Sequence, residues 1–220
     1  EGNTSTNYKY AIQLSNSNLT TIFNNSIFTY GFGAKGIYLS ESNQNNISNN
    51  TFITTQSLSY GLQLSSSLNN TLFGNEINTT WAHGIYGSSN NTFIENQINT
   101  QGQNNGFLIQ GTGVSLINNT ILGEYAAGIY LSSATQVTLQ DNQINNTQYV
   151  GIEVSGSAID YFNHTIGPDN LVEGLPVVYN FSLSNQSVFE NVDLTSTYGQ
   201  VICAWCNNVT YDNVTLRKDG

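Results

Sequence analysis

Carboxylates near the C-terminal end are the residues of this chain whose types and spacing come closest to a catalytic or metal site. Asp160, Asp169 and Glu173 fall within one short stretch, and Glu190 and Asp193 follow. Glycoside hydrolases use two carboxyl groups held roughly 5 to 9.5 Å apart. The same oxygens could bind Ca²⁺ weakly. We interpret the group as a solvated surface or a weak calcium site rather than a catalytic pair.

Positively charged side chains are scarce and lie near the two ends of the sequence. A polysaccharide lyase needs a cation that stabilises an enolate-like intermediate. His83 and His164 each stand alone, without the pattern of a nucleophile and its base. The four basic residues are Lys9, Lys35, Arg217 and Lys218. The sequence therefore predicts no catalytic residues, no dedicated metal ligands and no cofactor, and we expect that the protein is not an enzyme.

The charge balance excludes two classes of partner. Four Lys and Arg against 14 Asp and Glu give a formal net charge of −10. A basic surface for nucleic acid or for an anionic membrane is therefore missing. No apolar run approaches the roughly 20 residues of a membrane-spanning helix, so direct insertion is not expected. The chain contains no Met, and we expect a processed protein or a piece of a longer one.

An internal repeat in the sequence indicates which secondary-structure elements position these residues. The segment Gly-Ile-Tyr-Leu-Ser occurs at Gly36 and at Gly128, followed by Asn49-Asn-Thr-Phe and Asp141-Asn-Gln-Ile. We expect a single domain over residues 1–220, with residues 1–10 as a lead-in and residues 11–220 as eight full coils and a partial ninth. The repeats are 22 to 25 residues long and begin near residues 11, 36, 61, 84, 106, 128, 151, 176 and 201.

Each repeat contains three short segments in which apolar and polar residues alternate. Ile129 and Leu131 fall on one face of such a segment, and Tyr130 falls on the other. Period-two alternation over three to five residues predicts strands rather than helices. Since no segment suits a crossover helix, each repeat is predicted to form one coil of an all-β parallel solenoid with three faces and about nine coils.

A second pattern marks the turn before the third strand of each coil. An Asn stands two residues before the inward apolar residue, and Asn tolerates left-handed backbone and bonds to nearby backbone groups. Stacked amides of this kind predict a hydrogen-bonded ladder. His164, two residues before Ile166, is expected to take the same slot once. The predicted ladder consists of Asn25, Asn50, Asn75, Asn96, Asn119 and Asn142.

The Gly36 and Gly128 segments resemble the parallel β-helix repeats of the NosD-like, pectate-lyase-like superfamily. The resemblance covers nearly the whole chain and implies a right-handed, three-faced β-helix. In its Asn content the chain is similar to large cell-surface proteins of archaea. This fold hosts lyases, hydrolases, adhesins and structural proteins, so the resemblance leaves the function open.

Two features indicate an exported protein at the cell surface. Cys203 and Cys206 lack the helix of a redox pair and the partners of a metal site, so we expect a local disulfide, with an intermolecular bond as the alternative. The chain also has 15 Asn-x-Ser/Thr motifs, the acceptor sequence for N-linked glycans. Asn24, Asn49 and Asn118 lie beside ladder turns and have a structural explanation. Glycans are expected at Asn18, Asn46, Asn69, Asn78, Asn90, Asn145, Asn163, Asn180, Asn185, Asn208 and Asn213.

Aromatic residues recur at two outward positions of the coils. One predicted column, in the first strand, contains Tyr38, Tyr86 and Tyr130. A second, at the turn before each coil, adds Tyr10, Tyr60, Trp81, Tyr125 and Tyr149. Rows of this kind stabilise a sheet by cross-strand stacking, dock another protein, or stack on sugar rings. The sequence leaves these three interpretations open.

The ends of a solenoid expose core and unpaired strand edges unless they are capped. No amphipathic capping helix is evident, so we expect the ends and the aromatic face to contact further copies of the chain. The leading hypothesis is an extracellular, glycosylated structural protein that assembles into a filament or surface layer. The alternative is a β-helix that binds or processes carbohydrate. The assembly candidates are Tyr8, Tyr10, Ile12, Leu14, Ile202, Trp205, Val209, Tyr211, Val214 and Leu216.

Overall fold

The alternating segments of the sequence form short parallel strands that stack coil upon coil. A computed structural model describes residues 9–145 and 148–216. Tyr8, Arg217 and Lys218 lie outside the described residues. Because each coil contributes one strand to each of three sheets, neighbours in a sheet come from successive coils.

Seven regular coils build the three parallel sheets, with strands numbered in chain order. The first sheet contains β1 (Tyr10–Ser15), β4 (Lys35–Ser40), β7 (Leu62–Ser65), β10 (Ile85–Gly87), β13 (Phe107–Ile109), β16 (Ile129–Ser132) and β19 (Ile152–Ser155). The second contains β2 (Thr21–Phe23), β5 (Asn46–Ser48), β8 (Thr71–Phe73), β11 (Thr92–Ile94), β14 (Ser115–Ile117), β17 (Thr138–Gln140) and β20 (Thr165–Ile166). The third contains β3 (Ser26–Thr29), β6 (Thr51–Thr54), β9 (Glu76–Thr79), β12 (Gln97–Thr100), β15 (Thr120–Gly123), β18 (Gln143–Asn145) and β21 (Leu171–Val172).

The core consists of apolar side chains stacked at equivalent inward positions of successive coils. In the first sheet, Phe107 pairs in register with Ile85 on one side and Ile129 on the other, and all three side chains are fully buried. A side chain of this size contributes roughly 1.5–3 kcal/mol when it is fully removed from water. One hydrophobic cluster runs through the rod from Ile22 to Val177. The predicted three-faced, all-β solenoid is thus confirmed.

The Asn ladder joins the coils at the turn between the second and third sheets. Asn119 Oδ1 accepts hydrogen bonds from the backbone N–H and the Nδ2 of Asn96, at 2.9 and 3.0 Å. Asn119 donates in the same way to Asn142, which donates to Asn170. Asn170 therefore continues the ladder in the seventh coil. The assignment of His164 to this slot is wrong, because His164 precedes β20 of the second sheet rather than β21 of the third.

A second ladder, which the sequence reading missed, lies at the turn that precedes the second sheet. Asn45 donates to Asn70, and Asn70 donates to Asn91. Val137 occupies the equivalent position two coils further on, and its N–H donates to Nδ1 of His164 at 3.3 Å. His164 therefore substitutes for Asn in this second ladder.

The last two turns depart from the regular coil. Their strands are β22 (Leu175–Phe181), β23 (Ser184–Asp193), β24 (Gln200–Ala204) and β25 (Asn207–Thr215). Strand β22 pairs antiparallel with β21 and parallel with β24, and β23 pairs parallel with β25 in a separate two-stranded sheet. The repeats predicted at residues 176 and 201 are therefore two-stranded turns, which bring the rod to about nine turns. A short 3-10 helix, Ile159–Phe162, precedes β20.

Candidate functional site

A cleft of about 370 Å³ opens on the outer face of the first sheet, across the first coils of the rod. Its aromatic and aliphatic groups provide apolar surface, and two longer polar side chains lie among them. The lining residues are Tyr10, Lys35, Tyr38, Leu58, Tyr60 and Gln63.

Strand register places these residues in two neighbouring columns. In one column Tyr10 pairs with Lys35, and Tyr60 and His83 follow in the next two coils. The other column is Tyr38, Gln63 and Tyr86, aligned by the pairing of β4 with β7 and of β7 with β10. Side chains on one face of successive parallel strands lie about 4.8 Å apart. The columns therefore form one continuous surface.

The tyrosines of this surface form two stacked pairs. The Tyr10 and Tyr38 ring centroids are 4.7 Å apart, with a 20° angle between their planes. Those of Tyr60 and Tyr86 are 5.9 Å apart, with a 12° angle. His83 packs against Tyr60 at 5.6 Å. Such stacking fixes the rings in place on this face.

Lys35 lies between the two pairs. Its Nζ is 5.6 Å from the Tyr10 ring centroid and 5.4 Å from that of Tyr60, within the range of a cation–π contact. Nζ also donates to the Gly33 carbonyl at 3.1 Å. Only 7% of the residue is exposed, and burial lowers the pKa of the amine. Lys35 therefore acts mainly as a clamp between the tyrosines.

Gln63 lies between Tyr38 and Tyr86 in its column, and its Oε1 is buried without a hydrogen-bond partner. Buried side-chain oxygens in proteins are nearly always paired. The neighbouring His83 is satisfied, since its Nδ1 accepts the Asn105 N–H at 2.9 Å, and burial lowers the pKa of its imidazole to about 4. The sequence did not predict Gln63 and Lys35 as residues of this site, because that prediction rested on the aromatic residues alone.

The second aromatic column of the sequence reading is not a single column. Tyr10 lies in β1, and Tyr60, just before β7, stacks on Tyr86 of the first sheet, whereas Trp81, Tyr125 and Tyr149 lie in turns and are exposed. The turn residues come one or two positions earlier in their coils than Tyr60 does, which moves them off the sheet face. Tyr130 lies further along the first sheet, where its hydroxyl contacts Ser155 Oγ at 2.8 Å.

A separate groove of about 490 Å³ follows the turn between the second and third sheets. Glu95, Asn118, Asp141 and Asp169 lie one coil apart, each immediately before an Asn of the ladder. The C-terminal acidic group of the sequence reading is dispersed, since Asp169 lines this groove while Asp160 and Glu190 lie on different elements. Across the described residues, no three His, Cys, Asp or Glu side chains meet in a geometry that could hold a metal ion.

The C-terminal turns hold the two cysteines and cover the last regular coil. Cys203 and Cys206 are joined in a disulfide. Val177 is buried, and Tyr179 and Ile202 pack against the core cluster. The Tyr179 hydroxyl donates to the Phe162 carbonyl at 2.6 Å, and burial raises the pKa of Tyr179 to about 12. The prediction of a bare C-terminal end is therefore wrong for the regular coils, because the chain itself covers them.

The assembly candidates occupy different environments. Ile12 and Leu14 are half-buried against the core in the first coil, and Ile202, on β24 of the C-terminal turns, is half-buried against the same core. Val209 and Val214 are half-buried on β25. Three further candidates are exposed, namely Trp205, Tyr211 and Leu216.

The glycosylation motifs differ in access. The Nδ2 atom of Asn180 is buried in β22, so the folded chain excludes the prediction of a glycan there. Asn78 and Asn145 are half-buried on the third sheet. The other predicted acceptors are exposed, and they are Asn18, Asn46, Asn69, Asn90, Asn163, Asn185, Asn208 and Asn213.

The family model for the periplasmic copper-binding protein NosD matches residues 1–105. Copper prefers Cys, Met and His ligands. Both cysteines of this chain are in the disulfide, Met is absent, and Nδ1 of each of the two histidines accepts a backbone N–H in a different coil. The residues present therefore do not fit a copper site.

Three further comparisons concern the chain as a whole or its C-terminal part. Curated proteins give no match. The crystal structure of the periplasmic alginate epimerase AlgG is similar over 90% of this chain and 50% of that one, with 13% identity and a TM-score of 0.38. The chain thus spans about half the length of that protein. The family model for the right-handed beta helix region matches residues 78–216, more than half of the sequence, and the chain therefore belongs to the right-handed beta helix family.

Proposed function

We propose that this protein is an exported, carbohydrate-binding β-helix, and that its site is the tyrosine cleft of the first sheet. The observation that carries the proposal is that two stacked pairs of tyrosines, Tyr10 with Tyr38 and Tyr60 with Tyr86, lie at a cleft of about 370 Å³. Tyrosine offers an apolar ring and a polar hydroxyl, a combination that suits a sugar with one apolar face and many hydroxyls.

The composition of the cleft favours binding over catalysis. Its lining residues are tyrosines, one leucine, one glutamine and one buried lysine. Glycoside hydrolysis needs two carboxyl groups at the bond to be cleaved. The acidic side chains Glu95, Asp141 and Asp169 line the groove between the other two sheets instead.

Export is the second part of the proposal. Disulfides persist mainly in oxidising compartments, and Cys203 and Cys206 form one in the fold. Exposed Asn-x-Ser/Thr motifs such as Asn46 and Asn163 suit N-linked glycans. The NosD family, whose model matches residues 1–105, carries the word periplasmic in its name. Among the described residues no helix has the length and apolar character to cross a membrane.

The test is a glycan array followed by calorimetry with the best ligand. Tyr38→Ala and Tyr60→Ala should each weaken binding at least tenfold, because each removes a wall of the cleft. Tyr125→Ala is the matched control, since Tyr125 is an exposed turn tyrosine away from the cleft. The proposal fails if no glycan binds the wild-type protein, or if the control variant loses as much affinity as the cleft variants.

A second candidate function is self-association through the first coil. Phe23, Phe28, Tyr30 and Phe32 are exposed there, and within the described chain β1, β2 and β3 each pair on one side only. Since the C-terminal turns cover the opposite end of the regular coils, contact between two first coils would give a closed dimer rather than a filament.

Sedimentation of the full chain over a range of concentrations tests this candidate. We expect a dimer that Phe28→Glu dissociates, whereas Phe73→Glu, placed on a mid-rod strand, leaves it intact. A wild-type protein that remains monomeric at all concentrations would exclude self-association. Assembly into fibres would instead favour the filament expected from the sequence.

A further inference from the structure

The cleft lies between the two stacked tyrosine pairs rather than on top of either. Its lining takes Tyr10 and Tyr38 from one pair and Tyr60 from the other. Lys35 of the second coil and Gln63 of the third coil lie between the pairs. The pairs are two coils apart along the rod, roughly 9.6 Å at one strand spacing per coil. The cleft therefore presents tyrosine rings on both sides of Lys35 and Gln63.

Gln63 is the polar group with an unmet hydrogen-bonding requirement in this cleft. Its Oε1 has neither a protein partner nor access to water, although its side chain lines the cleft. The terminal torsion of a glutamine side chain is broad and soft. A small rotation of the amide can therefore bring Oε1 to a hydroxyl group in the cleft, where it would gain the partner that it lacks.

The charge of the site indicates what kind of ligand would enter. The unpaired Oε1 needs a hydrogen-bond donor, which a hydroxyl group supplies and an ionised carboxylate or sulfate does not. The chain as a whole carries a formal charge of −10, which disfavours polyanions. Lys35 is almost fully buried against Tyr10, Tyr60 and Gly33 and offers little positive surface. An uncharged, hydroxyl-rich ring fits these conditions best.

We propose that the cleft binds a single uncharged pyranose ring against Tyr38 and Tyr60, and that Gln63 Oε1 selects it by accepting a hydrogen bond from one of its hydroxyl groups. This inference rests on the proposed function and names the class of sugar and the residue that determines specificity. Gln63 touches the ligand but takes no part in any bond-breaking step.

Titration calorimetry with methyl glycosides of glucose, galactose and mannose tests the inference. Gln63→Leu should weaken binding of the preferred glycoside about tenfold, because the apolar side chain fills the same space without the acceptor. Gln13→Leu is the matched control, since Gln13 occupies the same column one coil before Tyr38 and bonds to Ser15. The control should bind like the wild-type protein.

Monodeoxy analogues of the preferred glycoside show whether the hydrogen bond is specific. One analogue, which lacks the hydroxyl that meets Gln63, should bind wild-type protein and Gln63→Leu equally well. A different outcome is that Tyr38→Ala abolishes binding while Gln63→Leu binds every glycoside like the wild-type protein. In that case Gln63 does not select the sugar, whereas the proposed carbohydrate-binding function is supported. If a charged uronic acid binds best, the uncharged class is wrong. If no sugar binds, the proposed function itself fails.

Discussion

Asparagine has two separate tasks at the turns of this rod, and the distinction bears on the glycosylation motifs. In Asn49-Asn50-Thr51 the first residue has φ +54°, the second is a buried ladder residue, and the third begins β6. The same order recurs at Asn69 and Asn90, beside the second ladder. An Asn-Asn-Thr motif therefore follows from turn geometry alone. Motifs outside this pattern, such as Asn46 and Asn163, are the stronger glycan candidates.

His164 makes the stability of the fold depend on pH. Burial lowers the pKa of its imidazole to about 4, below the ordinary value of 6.5. The neutral form is therefore favoured in the folded chain, where Nδ1 accepts the Val137 N–H. The stability that this form contributes is fully present above pH 6.5 and is lost as the pH falls towards 4. We therefore expect the free energy of unfolding to fall by about 2 kcal/mol as the pH is lowered from about 7 to about 5, because His164 is easier to protonate in the unfolded chain than in the folded one.

The variant His164→Asn restores the residue type found elsewhere in the second ladder and cannot titrate. Urea unfolding at several pH values should show a flatter pH dependence for His164→Asn than for the wild-type chain. His83→Asn should flatten the pH dependence by a similar amount, because burial also lowers the pKa of His83 to about 4, although His83 lies outside the ladders. An unchanged pH dependence in His164→Asn would contradict the assignment.

At the scale of the strand, five of the seven first-sheet strands, β7 to β19, are directly preceded by a glycine that lets the coil close tightly. A Cβ built on Gly106 would lie 2.5 Å from Ile121 Cγ2 and 2.7 Å from the Gly128 carbonyl oxygen. Gly61, Gly84 and Gly128 face Ile77, Ile98 and Ile144 in the same way. The repeated glycine that revealed the period of the sequence is thus required by packing between the first and third sheets.

We expect Gly106→Ala to destabilise the fold by about 1–3 kcal/mol, the usual cost of overpacking a filled core. Gly31→Ala is the control, because its added Cβ would meet only Ala34 Cβ at an ordinary 3.6 Å. Denaturant unfolding of both variants measures the difference. Equal stability of the two would show that the first and third sheets separate easily to admit a methyl group.

The sequence predicts the regular coils well because each strand repeats the same inward apolar residues and the same turn amides. The second ladder escapes detection because Val114 and Val137 interrupt it and His164 ends it. The cleft escapes detection for a different reason. Gln63 and Lys35 are ordinary polar residues in the sequence, and only the strand register brings them between tyrosines from different coils.

At the scale of the whole molecule, the chain consists of a seven-coil rod and a two-turn unit that docks on its last coil. The repeat spacing continues to residue 201 in the sequence, so spacing alone does not reveal the change of architecture. The antiparallel pairing of β22 with β21 follows a tight turn at Glu173 and Gly174, where φ is +50° and +78°. This turn redirects the chain away from the first sheet.

The redirected chain leaves β19 as the last strand of the first sheet, and Gln200 satisfies its open edge. The Gln200 amide accepts from the Ile152 N–H at 2.8 Å and donates to the Ile152 carbonyl at 2.6 Å. A side chain thus supplies two hydrogen bonds that a following strand would otherwise make. Because both Ile152 groups would lose their partner, Gln200→Ala should weaken the docking of the two-turn unit by about 1–3 kcal/mol.

Hydrogen exchange measured strand by strand tests this coupling, since about 1.4 kcal/mol corresponds to a tenfold change in an opening equilibrium. In Gln200→Ala, amides of β22 and β24 should exchange roughly 10 to 100 times faster, while β7 to β15 keep their protection. Gln186→Ala, an exposed position on β23, should leave all rates unchanged. Equal acceleration in every strand would mean that the rod and the two-turn unit unfold as one cooperative body, and that Gln200 contributes to global stability rather than to a separable docking step.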